Sequence, residues 1–189
     1  MADVKKVTQA KPKVGGAVSI AVLGTALPTD AAATLASGFK ALGYVTTDGV
    51  TNSRSTETAD VKAWGGDTVM SEQTSKTDTF KFAMLESLNE DVLKMAYGDA
   101  NVAGTLAAGI TVKENSALKD NHCFVIDMIM KDNVLKRLVI PNGSITSYDD
   151  ITYKDDQPVS YGVTITALPD ADGNTHYEYI KAATTGGVK

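Results

Sequence analysis

The sequence predicts a mainly β (α+β) fold: an antiparallel β-sandwich or barrel with one flanking α-helix and one long extended hairpin. Three observations predict it. Thr is abundant, at 22 of 189 residues, and Val and Ile are spread along the chain, a bias toward strands. Short apolar or alternating runs recur between Gly, Pro, Asn and Asp punctuation, the pattern of strands joined by turns. Only "SLNEDVLKMAYG" carries a strong helical stripe, so one helix sits beside the strands instead of alternating with them.

Residues 1–17 hold Lys5, Lys6, Lys11 and Lys13, a Pro and a Gly pair, with little to bury. They are expected to form a flexible basic arm, with residues 182–189 a matching loose tail and 18–181 the β domain. "AVSIAVLG" (17–24) reads as a short buried strand closed by Gly. Pro28 stops it, and Thr29 or Asp30 is expected to cap a short helix over 31–36, with Gly38 and Gly43 at its exit. "GYVTTDGV" is expected to be a strand entering an Asp48-Gly49 turn.

Residues 51–79 are polar, yet they frame "ADVKAWGGDTVM", which holds the sole Trp. Alternation puts Glu57, Ala59, Val61 and Ala63 on one face and Thr58, Asp60, Lys62 and Trp64 on the other. Gly65-Gly66 supplies the positive φ angles of a tight hairpin. Neither face is apolar enough to bury alone, and such a ribbon is marginal in water unless something covers it.

Beyond the ribbon, Phe80, Phe82 and Met84 alternate with Thr79, Lys81 and Ala83, a half-buried strand. Ser87 and Glu90 have capping-box spacing; Leu88, Val92 and Met95 or Ala96 form an apolar stripe, and Gly98 ends the helix. From 109 onward strands and turns are expected: "GITVKE", "HCFVIDMIM", a Lys-Asp-Asn turn, "VLKRLVI", a "PNGS" turn (141–144), "ITSYDDITY", "VSYGVTITAL", the turn "PDADGN" and "THYEYIKA". In "VSYGVTITA", Val159, Tyr161, Val163 and Ile165 share one face.

Composition narrows the function. A net charge of −5 argues against a nucleic-acid grip, which needs clustered Lys and Arg. A single cysteine, Cys123, lies in an apolar run and reads as a buried inert thiol in a chain without an internal disulfide. The start has no apolar signal-peptide region, and no apolar run approaches a membrane span, so a soluble cytoplasmic product is expected.

Catalysis finds little support. His122 and His176 sit in strand-like segments without a nucleophile motif, and they read as ordinary strand positions. No zinc, nucleotide or nucleophile-elbow motif is present, so neither cofactor nor metal is expected. "DADGN" (170–174) offers three oxygen side chains, but its Gly comes too early for a calcium loop, and a hairpin turn explains it better. Asp149-Asp150 and Asp155-Asp156 are neighbours that point to opposite faces of a strand, hence an acidic rim instead of a catalytic pair. Tyr148, Tyr153, Tyr161, Tyr177 and Tyr179 are expected to scatter, which argues against an aromatic carbohydrate-binding platform. What remains is a ribbon, two arms and many sheet edges, the description of a chain that meets copies of itself.

"GTALPTDAAATLASGFKALGYVTTDGV" (24–50) resembles the amino-terminal signature of the tail tube (major tail) proteins of long, non-contractile-tailed bacteriophages. "ETADVKAWGGDTVM" is similar to that family's long hairpin, "FKFAMLESLNEDVLKMAYGDANV" to its strand–helix element, and the stretch from "PNGS" to "YEYI" to its closing strands. The resemblance implies a non-enzymatic virion subunit: hexameric rings stacked into a tube around a tape measure protein, ended by tail terminator and distal tail or baseplate proteins. Double-stranded DNA would pass through the lumen without specific binding, and no membrane is involved. It implies a virion-tail location, with host cytoplasm during assembly. Val61, Lys62, Trp64, Gly65, Gly66, Val69 and Met70 are then the expected stacking contacts. Alternatives are a tube or ring protein of a contractile or type VI secretion-like system, or a β-sandwich binding or decoration module.

Overall fold

The computed structural model describes residues 2–182; most of the expected loose tail, 183–189, lies outside them. The strands in chain order are β1 (Lys11–Pro12), β2 (Val18–Val22), β3 (Lys40–Ala41), β4 (Thr51–Lys62) and β5 (Thr68–Met84). The helix α1 (Glu90–Tyr97) follows, then β6 (Val102–Thr105), β7 (Gly109–Val112), β8 (His122–Ile129), β9 (Leu135–Tyr148), β10 (Tyr161–Ala167) and β11 (Tyr177–Lys181).

The main sheet runs β3-β2-β8-β9-β10-β5-β4, all antiparallel, with β1 continuing the β2 edge along β8 and β11 joining β9 ahead of β10. Its ends are tied together by residues 40–46. The Leu42 N–H donates to Val18 O at 2.9 Å, and four residues later Thr46 N–H donates to Ala83 O at 2.9 Å. This segment closes the sheet around a core of Val18, Leu42, Phe80, Met84, Phe124 and Val163, among others. Closure removes the sheet edges that would otherwise stay open in the body.

β8 is buried on both faces, which is why its sequence is an almost unbroken apolar run. Phe124 and Ile126 face the core; Asp127 on the opposite side holds the buried Arg137 by two hydrogen bonds, 2.6 and 3.0 Å. Arg137 also donates to the Asp30 and Ala33 carbonyls at 2.9 and 2.7 Å. The helix expected over 31–36 is absent: the segment is a series of bends that present these two carbonyls to the guanidinium. The Asp30 side chain instead caps a local turn by accepting the Ala32 N–H.

Three further expectations are corrected. The strand expected over 43–50 is reduced to the single bridge Val45–Met84 before its turn. The helix starts later than the Ser87–Glu90 box: Asn89 is the cap, accepting the Asp91 N–H at 3.0 Å and donating to Glu86 at 3.0 Å. Leu88 is consequently exposed, and Leu93 joins Val92, Met95 and Ala96 in the core. "PNGS" is not a turn but the middle of the 14-residue β9. A bulge between His122 and Phe124 absorbs Pro141, whose carbonyl accepts the Cys123 thiol at 3.0 Å.

Candidate assembly surface

β4 and β5 pair over the whole length of β4, from Thr51–Lys81 to Lys62–Thr68, and every β4 residue is exposed. The expected short hairpin with polar flanks is in fact one continuous two-stranded arm. About eight residue pairs, from Ser55–Thr77 to Lys62–Thr68, lie beyond the body and, at about 3.3 Å each, extend it by roughly 26 Å. Two bulges, where β5 inserts Thr74 opposite Glu57/Thr58 and Val69 opposite Val61/Lys62, interrupt the simple alternation along the arm. They add twist to a ribbon with unpaired edges.

At the tip, Ala63 N–H donates to Asp67 O at 2.8 Å and the chain reverses through Gly65 (φ 115°) and Gly66 (φ 100°), a conformation that favours glycine. Trp64 stands clear of the body at 107% relative exposure. Val61, Val69 and Met70 are exposed beside it, with Val61 directly opposite Met70 across the strands. Lys62 lies on the same turn of the ribbon. All seven expected contact residues thus cluster at one tip, an apolar patch with no intramolecular cover.

The arm is anchored at its root by Asp78, 1% exposed. Its carboxylate accepts Asn52 Nδ2 at 2.7 Å and Thr175 Oγ1 at 2.6 Å, and His176 Nδ1 lies 2.6 Å away. Burial pushes the Asp78 carboxyl up, but the hydrogen bonds from Thr175, Asn52 and His176 outweigh it and hold the group below its ordinary value. The His176 ring packs edge-on against Phe80 at 5.2 Å. This joint between arm and carboxy-terminal segment was not legible in the sequence. Asp78 reads there as one more polar residue in a polar stretch, and its partners Thr175 and His176 are nearly a hundred positions away.

A second aromatic surface lies at the other end of β5. Tyr97 and Tyr161 rings meet edge to face at 6.0 Å, and Lys119 Nζ sits 4.2 Å from the Tyr148 ring centroid. Burial, with Tyr161 and Tyr153 adding to it, pushes the Tyr97 hydroxyl up to about 12, so it stays neutral. The tyrosines therefore do not scatter as alternation suggested. Tyr177 and Tyr179, two apart on β11, also stack at 6.3 Å because a period of two returns side chains to one face.

The remaining candidates are structural. Asp170 accepts the N–H groups of Asp172 and Asn174 and the Tyr177 hydroxyl, which occupies the "DADGN" carboxylate with turn contacts. Asp149 pairs with Lys81 at 2.8 Å. Among the described residues no group of His, Cys, Asp or Glu converges to hold a metal ion, and no helix is long and apolar enough to cross a membrane.

A family model described as phage tail tube protein matches residues 11–187. The chain belongs to that family. The match covers the body and the arm alike, so the tail tube assignment applies to the domain as folded here. A comparison with curated protein sequences finds no match. The tail tube family is structural, and the chain is accordingly a structural protein of the virion tail.

Proposed function

We propose that this tail tube protein forms hexameric rings that stack into the conduit for genome delivery in a non-contractile tail. The observation that carries the reading is the arm: a 12-residue strand exposed along its whole length, ending in an apolar tip that its own body does not cover. Such a tip gains cover from a sister molecule, and the arm carries it well clear of its own body. A ribbon that gains its packing on contact also keeps the free subunit soluble until a tail initiator presents a template.

The charge supports a lumen for DNA. At −5 per copy, six copies around a ring repel phosphates, and the effect reaches over about 8 Å at physiological salt. The carboxy-terminal turns supply carboxylates for the lumen, and the basic segment with Lys6, Lys11 and Lys13 faces outward or a neighbouring ring. A tape measure protein fills the growing tube, with terminator and distal tail proteins at its ends. Negative-stain microscopy of the concentrated chain tests the proposal. Rings with six-fold symmetry and tubes are expected; trimers, or a chain that stays monomeric at all concentrations, would reject it.

A further inference from the structure

An exposed apolar tip and a half-buried tyrosine-lined cavity lie at opposite ends of one strand. β5 runs from Thr68, beside the Trp64 tip, to Met84 in the body. Its 17 residues at about 3.3 Å each separate these ends by roughly 55 Å. At the body end Met84 pairs with Tyr161, and Tyr161 lines a cavity of 250 Å³ with Ala96, Tyr97, Lys119, Tyr148 and Ile151. The exposed Tyr153, beside Tyr97 and Tyr161, extends the aromatic surface around it.

We propose that this tyrosine-lined cavity receives the Trp64 tip of the next copy of the chain; the inference rests on the reading of the arm as the contact between rings. The chemistry fits an indole. Tyrosine rings offer edges and faces for offset or edge-to-face packing, and the Lys119 ammonium beside Tyr148 offers the cation that a Trp face attracts best. The tip carries the Lys62 ammonium, and the cavity's lining includes the Glu114 and Asp149 carboxylates, an acidic rim that complements it.

Geometry decides which copy supplies the tip. The paired arm holds tip and cavity at opposite poles, so a chain does not fill its own cavity. A contact from one pole to the other is heterologous, head-to-tail, and combined with ring contacts it stacks one copy on the next. Lateral closure into rings is a separate contact and uses other surfaces.

Trp64 is the sole tryptophan, so its fluorescence reads the contact in the full-length chain. On assembly its emission is expected to move to shorter wavelength and its quenching by acrylamide to fall. Tyr148→Glu, at the exposed end of β9, is expected to keep the fold and to raise the concentration needed for assembly about tenfold or more. With p-benzoylphenylalanine at position 64, assembled chains are expected to crosslink to peptides containing Tyr97, Lys119, Tyr148 or Ile151. Crosslinks elsewhere on a sister copy, with Tyr148→Glu assembling normally, overturn the cavity and leave the arm reading standing. Unchanged Trp64 emission in tubes, with Trp64→Ala assembling normally, overturns both. Should Tyr148→Glu fail to fold, the crosslink map of the otherwise native chain decides alone.

Discussion

Trp64 and Asp78 mark the two ends of the arm, and they divide its work. Trp64 touches none of the core, so Trp64→Ala is expected to leave the melting temperature unchanged while tubes disappear from micrographs. A buried interface Trp carries about 2 kcal/mol or more, roughly a 30-fold shift in affinity at each contact. A mutant whose body unfolds would contradict this division. Asp78 does the opposite: it holds the arm to the body. Asp78→Ala leaves Asn52, Thr175 and His176 without their shared acceptor and is expected to cost about 3 kcal/mol in denaturant unfolding. The sign of its pH effect follows from its lowered folded value. Its contribution is complete above the unfolded carboxyl value of about 3.9 and is lost as pH falls through the folded value. Thermal melts on the acid side are therefore expected to be steeper in pH for the native chain than for Asp78→Asn, which starts lower at neutral pH.

At the scale of elements, strand periodicity and glycine placement gave correct readings where a segment buries one face or turns tightly. Phe80, Phe82 and Met84 are buried as alternation predicts, and Gly65-Gly66 forms the arm turn. The misreadings have a common cause. Residues 31–36 look helical, yet the segment bends so that the Asp30 and Ala33 carbonyls reach Arg137, about a hundred positions later. "PNGS" looks like a turn until Phe124 and Ile165 pack where a side chain at 143 would stand. A Cβ on Gly143 would meet both within 2.9 Å, so this glycine serves close approach in mid-strand. Gly143→Ala is expected to destabilise the body by about 1–3 kcal/mol in denaturant titrations, with the arm untouched. Removing 56–74 and closing the ribbon with a two-residue turn is expected to preserve the body's melting transition and abolish tubes, which sedimentation would detect.

For the whole molecule, a closed body and an uncovered arm are complementary parts of one design. The barrel ties its edges together through residues 40–46, leaving the β4–β5 arm as its most prominent open pairing surface. Association is thereby steered to one element. The charge argument belongs to this scale as well. Asp155→Asn with Asp156→Asn, two exposed carboxylates of the carboxy-terminal half, is expected to leave tube dimensions unchanged and to slow genome delivery. Unaltered ejection kinetics in phage carrying both changes would remove these residues from the lumen.

The sequence by itself determined the β class, the helix after β5, the Trp-tipped hairpin and the family, because periodicity, turn chemistry and local signatures are written in neighbouring residues. The tertiary structure alone decided that the ribbon is one continuous arm, that Asp78 and His176 pin its root, and that Tyr97, Tyr148 and Tyr161 gather at the far end of β5. Those features join residues tens to a hundred positions apart. Burial and hydrogen bonding select them only once the sheet has closed, so no local pattern announces them.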